Sequence, residues 1–397
     1  MYRIAPEHWG RFFGCAAGQY IIEGGGQGKG KNPLASLCHL SIIPFAARGM
    51  SAMFMEKPAH RIFVEKYLNW DLVRERLDRY KNIGKAFPID TLRGCSDKPP
   101  YYCHYLSWRL GTWQDEKLFE FLDTLLGFGA ELKGWDTTRI PKGCEFDNFW
   151  GFIWELQVAA LFAGHLKLHT EWKRDGPDFR VSTGSSCFFV ECTTYRKSFG
   201  LEEFVREIFQ FIDPQIKIEH KPWKKFSLPK GREIDIFLDN LFRPYLDPIF
   251  LRRKWKQTLG ETPVIIHTTK SSNNFYVYLE NPWAENHKPR LEKILSSVGC
   301  KTERYLDRAC REVLRNKASA NRIDEHHPNF LMVNYLLGSD WQIARALMRG
   351  HVPALPKPFD GFMLCACGID SLPSFHDCIL RCTSGHPIQS LVNNKEG

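Results

Sequence analysis

The sequence predicts an α/β protein in which a mixed β-sheet flanked by helices follows a mainly helical segment. Three observations predict this class. Residues 56–140 carry apolar side chains at helical spacing among charged ones. From about Cys144 onward, short apolar runs typical of strands alternate with helical segments. Several of these runs are apolar on both faces, as in the buried strands of a mixed sheet.

Composition sets the class of protein and its domain organisation. The chain has 397 residues, of which 43% are hydrophobic and 25% charged, which excludes collagen, a coiled coil and wholesale disorder. This length exceeds one typical hydrophobic core. We therefore expect a poorly ordered, Gly-rich lead segment over 1–49, a mainly helical N-terminal domain over 50–143 and a sheet-containing domain over 144–397 with a basic insertion at about 214–260.

The sequence also bears on location and partners. No run of about 18 apolar residues could span a membrane, and the N-terminus lacks the pattern of a secretory signal. The 13 cysteines are therefore expected to be reduced thiols in a cytoplasmic protein. The net charge of +9 favours a polyanionic partner. A phosphate-binding loop is disfavoured at Gly25–Lys31, because Asn32 stands where that motif needs Ser or Thr.

The elements that follow the helical segment are predicted in chain order. An apolar helix over Phe149–Ala163 leads into three strands, over Leu166–Trp172, Asp178–Ser182 and Cys187–Thr194. A helix over Leu201–Ile212 ends before Pro214. The remaining predictions are an irregular basic stretch over 217–256, strands over Pro263–Thr268 and Phe275–Leu279, a helical stretch over 289–317, and strands over Phe330–Leu337 and Gly361–Cys367.

Three carboxylates stand out in this pattern. Glu155 projects from an apolar helix face, Asp178 follows a Gly-Pro turn at a strand start, and Glu191 lies in a strand that is apolar on both faces. A hairpin between the last two strands would bring Asp178 beside Glu191. Converging carboxylates repel one another, and a site with oxygen ligands alone favours Mg²⁺ or Mn²⁺. A structural ion pair with Arg180 or Arg196 is the simpler alternative.

The stretch Phe149–Lys197 resembles the core of the PD-(D/E)XK nuclease superfamily, the restriction-endonuclease-like fold. The resemblance lies in Trp-Glu155-Leu on the helix, Pro-Asp178 on the second strand and Glu191-Cys-Thr on the third. It implies a four-stranded mixed sheet flanked by helices, a Mg²⁺ or Mn²⁺ site at Glu155, Asp178 and Glu191, and hydrolysis of phosphodiester bonds. A role in defence against foreign DNA would follow from the resemblance alone.

One position departs from this family pattern. The family has a Lys two residues after the second acid, where this chain has Thr193. Lys197 keeps the same strand parity and is our first candidate for a migrated lysine, with Arg180 as the second. Without a replacement, the chain would be a slow nuclease or a protein that only binds nucleic acid.

Basic residues over 217–256 indicate a nucleic-acid surface. This stretch holds eleven Lys or Arg against five Asp or Glu, and aromatic residues alternate with the cations. The alternative is an ordinary solvated surface. The predicted contact residues are Lys221, Trp223, Lys224, Lys225, Arg252, Arg253, Lys254 and Lys256.

A group of cysteine and histidine residues near the C-terminus is a weak candidate zinc site. It consists of Cys365, Cys367, His376, Cys378, Cys382 and His386. The Cys-x-Cys spacing fits structural zinc poorly, and small buried thiols are the favoured interpretation.

The function predicted from the sequence is metal-dependent phosphodiester hydrolysis, with DNA favoured over RNA. The alternative is a catalytically inactive nucleic-acid-binding or scaffold protein built on a degenerate nuclease core. The sequence leaves a homodimer open.

Overall fold

Within residues 57–142, apolar side chains at helical spacing produce six α-helices. The helices are α1 (Ala59–Tyr67), α2 (Trp70–Arg79), α3 (Lys81–Ala86), α4 (Ile89–Gly94), α5 (Tyr105–Thr112) and α6 (Glu116–Glu131). Side chains cap three of them: Asn69 accepts hydrogen bonds from the first turn of α2, His104 accepts one from Leu106 N–H in α5, and Asp115 accepts one from Leu118 N–H in α6. The helical character predicted for this segment is confirmed.

The structure is a computed structural model that describes residues 57–142, 146–184, 186–195, 199–213, 216–220, 232–247, 249–250, 252–253, 264–269, 272–279, 311, 323–335, 345, 354–355, 357–375 and 377–389. Spatial contacts divide the chain into Met1–Lys57 and Pro58–Gly397. The predicted boundary at residues 143/144 lies within the second unit, where α6 packs against the next helix. The glycine-rich segment and most of the predicted 289–317 helix lie outside the described residues.

The apolar helix α7 (Phe146–Ala159) begins the part of the chain that contains the sheet. Its last turns widen into a π-helix over Ala160–His165. The first strand therefore starts later than predicted, at His169, because the π-turn and the positive φ of Lys167 occupy the intervening residues. The strands then follow as β1 (His169–Trp172), β2 (Phe179–Ser182) and β3 (Cys187–Tyr195), with α8 (Phe199–Ile212) after them.

The described parts of the stretch 217–256 are not irregular as predicted. They contain β4 (Ile216–His220), α9 (Arg232–Phe242) and a 3₁₀ turn over Arg243–Leu246. The prediction was wrong because the charged residues hide a helical pattern: Phe237, Leu238 and Leu241 are buried on one face of α9. β4 forms a small antiparallel sheet with β5 (Val264–Thr269) and β6 (Ser272–Leu279), in the order β4-β6-β5.

The main sheet is mixed and has six strands, not the four implied by the resemblance. Its order is β1-β2-β3-β7-β8-β9, completed by β7 (Asn329–Tyr335), β8 (Gly361–Cys365) and β9 (Ile379–Cys382). β3, β7 and β8 are parallel, whereas β1, β2 and β9 pair antiparallel. All residues of β7 and β8 are buried, as expected for central strands. The α/β prediction is confirmed, while β9 was missed.

Helix α7 is anchored to the sheet by apolar packing and by two polar side chains. Trp154 Nε1–H donates to the Met332 carbonyl of β7 at 3.3 Å. The Gln157 amide donates to the Gly368 and Ser371 carbonyls after β8, both at 2.6 Å. These bonds fix the rotation of α7 about its axis, and therefore the direction in which Glu155 points.

Candidate active site

The hairpin of β2 and β3 places two of the predicted carboxylates side by side. Phe179 pairs with Val190 in the antiparallel register, so Asp178 and Glu191 come immediately beyond that pair. Both are almost fully buried. Hydrogen bonds fix both the backbone and the side chain of Asp178. Its carbonyl accepts from Lys173 N–H at 2.9 Å, and its Oδ2 accepts from Cys192 N–H at 2.8 Å.

Glu155 reaches the same place from α7. Burial and the negative charges of Asp178 and Glu191 raise its pKa to about 8. About a quarter of its side chain stays exposed, compared with 4% for that of Asp178. The three carboxylates predicted from the sequence are therefore close enough to interact electrostatically.

Among the described residues, Arg139 is the cation bound to Glu155 and Asp178, and the sequence analysis missed it. Its Nη1 donates to Glu155 Oε2 at 3.1 Å and to Asp178 Oδ1 at 3.2 Å. Its Nη2 donates to the Lys173 carbonyl. The positive charge lowers the pKa of Glu155 and so opposes the effect of burial. One guanidinium thus joins a helix, a strand start and the turn between two strands. We name Arg139, Glu155, Asp178 and Glu191 the acid cluster.

The segment that carries Arg139 is fixed to the edge of the sheet. Trp172 N–H of β1 donates to the Lys133 carbonyl at 2.8 Å. Gly134 has φ +81°, and a Cβ there would collide with the Trp172 carbonyl. Asp136 caps the 3₁₀ turn Thr137–Arg139 by accepting from Thr138 N–H at 2.8 Å. This segment therefore holds Arg139 in position without help from a long helix or strand.

Aromatic packing supports the same segment. The Trp135 and Trp172 rings meet edge to face with centroids 5.3 Å apart. The Arg139 guanidinium carbon lies 5.3 Å from the Trp172 ring centroid, a cation–π contact. No local spacing links Arg139 to Glu155, and the only signal in the sequence is that a buried Glu155 requires some cation.

Of the two predicted substitutes for the missing lysine, the structure describes Arg180. Arg180 is exposed and lies opposite Glu171 and Phe189 in the strand register. Lys197 and Arg196 lie outside the described residues. Thr193 is half-buried on β3, opposite Val333, and its hydroxyl lies 3.5 Å from the Thr194 carbonyl. The prediction that Arg180 pairs with the acids is thus corrected, since the cation bound to Glu155 and Asp178 is Arg139.

Of the predicted nucleic-acid contacts, the structure describes Arg252 and Arg253, both of which are exposed. The other six lie outside the described residues: Lys221, Trp223, Lys224, Lys225, Lys254 and Lys256.

The helices of the described residues include none that is long and apolar enough to cross a membrane.

The cysteine-rich segment near the C-terminus resembles a core more than a zinc site. Cys365, Cys367 and Cys378 are buried, and burial raises the pKa of the Cys367 thiol to about 12. The His386 ring packs against Phe188 and Phe330. His376 lies outside the described residues.

Within the described part of the chain, no group of three or more His, Cys, Asp or Glu side chains is arranged so that it could hold a metal ion. No protein-family model, curated protein or solved structure matches this chain.

Proposed function

We propose that this chain is a nuclease that hydrolyses phosphodiester bonds with Mg²⁺ or Mn²⁺, and that DNA is favoured over RNA as its substrate. The observation that carries the proposal is the acid cluster, in which a helix, a strand start and the neighbouring strand each supply one carboxylate. A mixed sheet preceded by such a helix fits the restriction-endonuclease-like fold that the sequence resembles.

The carboxylates present suit a magnesium site of low protein coordination. Mg²⁺ usually keeps several waters and takes one or two protein carboxylates together with substrate phosphates. Asp178 and Glu191 are adjacent on paired strands and would supply these oxygen ligands. When bound, a divalent ion supplies positive charge for the phosphoryl group and lowers the pKa of water.

The chain's own residues would orient the site and hold a proton. The Cys192 N–H fixes Asp178 through Oδ2, leaving Oδ1 toward the cluster. Glu155 accepts from Arg139 at Oε2, and about a quarter of its side chain is exposed. Because burial and the charges of Asp178 and Glu191 raise its pKa to about 8, Glu155 is the carboxyl that would take up a proton and deliver it to a leaving oxygen.

A second candidate function is nucleic-acid binding without catalysis. Two observations favour it: Thr193 has no charge, and Arg139 already neutralises two of the three acids. In that case the cluster would be a structural ion pair that stabilises the junction of α7 with the sheet.

Calorimetric titration of Mn²⁺ into the wild type and Asp178→Asn tests the metal site. Asp175→Asn is the matched control, since Asp175 is an exposed carboxylate three residues away on the same turn. We expect the wild type and Asp175→Asn to bind alike and Asp178→Asn to bind at least about 100-fold more weakly, because a charged ligand is lost. Equal binding by all three proteins would contradict the proposal.

Incubation with supercoiled plasmid, single-stranded DNA and RNA, each with Mn²⁺ or with EDTA, tests the reaction. We expect cleavage of DNA that requires Mn²⁺ and is absent in Asp178→Asn. Binding of nucleic acid without cleavage of any of the three, with Mn²⁺ and with EDTA alike, would favour the second candidate.

A further inference from the structure

Arg139 occupies the ligand atoms that a divalent ion would use. Both carboxylate oxygens of Asp178 are engaged, Oδ1 with Arg139 Nη1 at 3.2 Å and Oδ2 with Cys192 N–H at 2.8 Å. Glu155 Oε2 accepts from the same Arg139 nitrogen. The donor at Oδ2 is a backbone N–H of β3, which is fixed by the strand, so Arg139 is the partner that can be exchanged.

We propose that Arg139 and a divalent metal ion compete for Asp178 Oδ1, and that this competition sets the metal affinity of the acid cluster. The inference rests on the proposed function, because it assigns a role to Arg139 within that metal site. Arg139 acts here as a positioning residue: it holds Asp178 and Glu155 in place before metal arrives and weakens metal binding by its charge.

The physical reason is charge. A guanidinium at hydrogen-bond distance from Asp178 lies only a few ångströms from any cation bound to that carboxylate, and two like charges at such a distance repel strongly even at an effective dielectric constant of about 20. Arg139 Nη1 also contacts Oδ1 directly, so a metal ion could bind this oxygen only after the guanidinium moves away. Arg139 cannot lose its own charge to relieve this repulsion, because a guanidinium stays protonated in proteins.

The anchoring of the Arg139 segment makes the competition measurable. Arg139 N–H donates to the Asp136 carbonyl and Ile140 N–H donates to the Thr137 carbonyl, both at 3.2 Å. Displacement of the side chain by metal removes its bonds to Glu155 and Asp178 while the turn stays bound to β1 through Lys133. The 3₁₀ turn is then held by fewer contacts and should open more often.

Mn²⁺ titration by calorimetry into the wild type, Arg139→Gln, Arg139→Lys and Arg180→Gln tests the inference. Arg180 is the matched control, since it is an exposed arginine two residues after Asp178. We expect Arg139→Gln to bind Mn²⁺ at least about tenfold more tightly than the wild type, Arg139→Lys to stay within about threefold of it, and Arg180→Gln likewise. Circular dichroism establishes that each variant is folded.

The outcomes separate the inference from the proposed function. Equal affinity of the wild type and Arg139→Gln overturns the inference and leaves the metal site standing. Absence of binding by both proteins overturns the inference and the proposed metal site together. Binding by Arg139→Gln alone supports the inference in its strongest form.

Hydrogen exchange on the wild type supplies a second measurement that does not depend on the Arg139→Gln variant folding. We expect Mn²⁺ to accelerate exchange at the Arg139 and Ile140 amides relative to the metal-free protein. Slower exchange at these amides in Mn²⁺ would overturn the inference, because it would mean that metal and Arg139 bind together.

Discussion

Two clusters among the described residues, in each of which an arginine pairs with a carboxylate that is at least partly buried, differ in what surrounds them. In the helical region, Arg109 of α5 pairs with Glu207 of α8 at 2.8 Å. The Arg109 guanidinium also packs over the Tyr105 and Trp113 rings. At the sheet, Arg139 joins Glu155 and Asp178 beside a third carboxylate, Glu191.

The comparison shows that pKa perturbation alone does not mark a functional site. Burial raises the pKa of Glu207 to about 7 and that of Glu155 to about 8. The side chain of Glu207 is only 3% exposed, whereas that of Glu155 is 24% exposed. The sheet cluster therefore combines accessibility with three carboxylates from separate elements, and the helical cluster has the character of a structural ion pair.

The largest expected difference between the clusters is in stability. Arg109→Gln should lower the free energy of unfolding by about 3–5 kcal/mol, because it leaves Glu207 buried without its charged partner. Arg139→Gln should cost about 2 kcal/mol, since Glu155 is partly exposed and Asp178 keeps its bond from Cys192 N–H. Urea unfolding of both variants measures the difference. A larger loss for Arg139→Gln would contradict the division into structural and accessible clusters.

A second test concerns the segment that positions Arg139. Gly134→Ala should destabilise the protein by about 2 kcal/mol, because its φ of +81° is strained for Ala and the new Cβ meets the Trp172 carbonyl. Gly176→Ala is the matched control, since Gly176 has φ +88° with open space around its Cβ. Its cost should be about 1 kcal/mol. Equal thermal unfolding of the two variants would show that the Gly134 contact does not hold the segment.

A third test concerns the pH dependence of stability. Glu207 has a folded-state pKa of about 7, above its ordinary value of 4.5. Folding therefore favours its protonated form, and the wild type should lose roughly 1 kcal/mol of stability per pH unit as pH rises from 4.5 to 7. Glu207→Gln should not show this loss of stability between pH 4.5 and 7, whereas Glu75→Gln, at an exposed position, should show the same loss as the wild type. Parallel stability profiles for the wild type and Glu207→Gln would be the contrary result.

Much of the fold followed from local patterns. The strands β2, β3, β7 and β8 begin within a residue of their predicted starts, because each is a short apolar run bounded by turn residues. The basic stretch was predicted to be irregular because of its many charged residues. Some of these residues form the polar face of α9, whose opposite face is apolar and buried. β9 was missed because its Ile-Leu-Arg-Cys sequence is too short to show alternation.

The sequence by itself placed Glu155 on an apolar helix face and Glu191 in an apolar strand, and its strand pattern predicted the hairpin that brings Asp178 beside Glu191. It could not determine which cation meets them. Lys197 and Arg180 were natural candidates because strand parity is local, whereas Arg139 reaches the acids through a turn held to β1 by contacts distant in sequence. Only the tertiary structure decided this, because the cost of burying a carboxylate requires a cation nearby but leaves open the segment that supplies it.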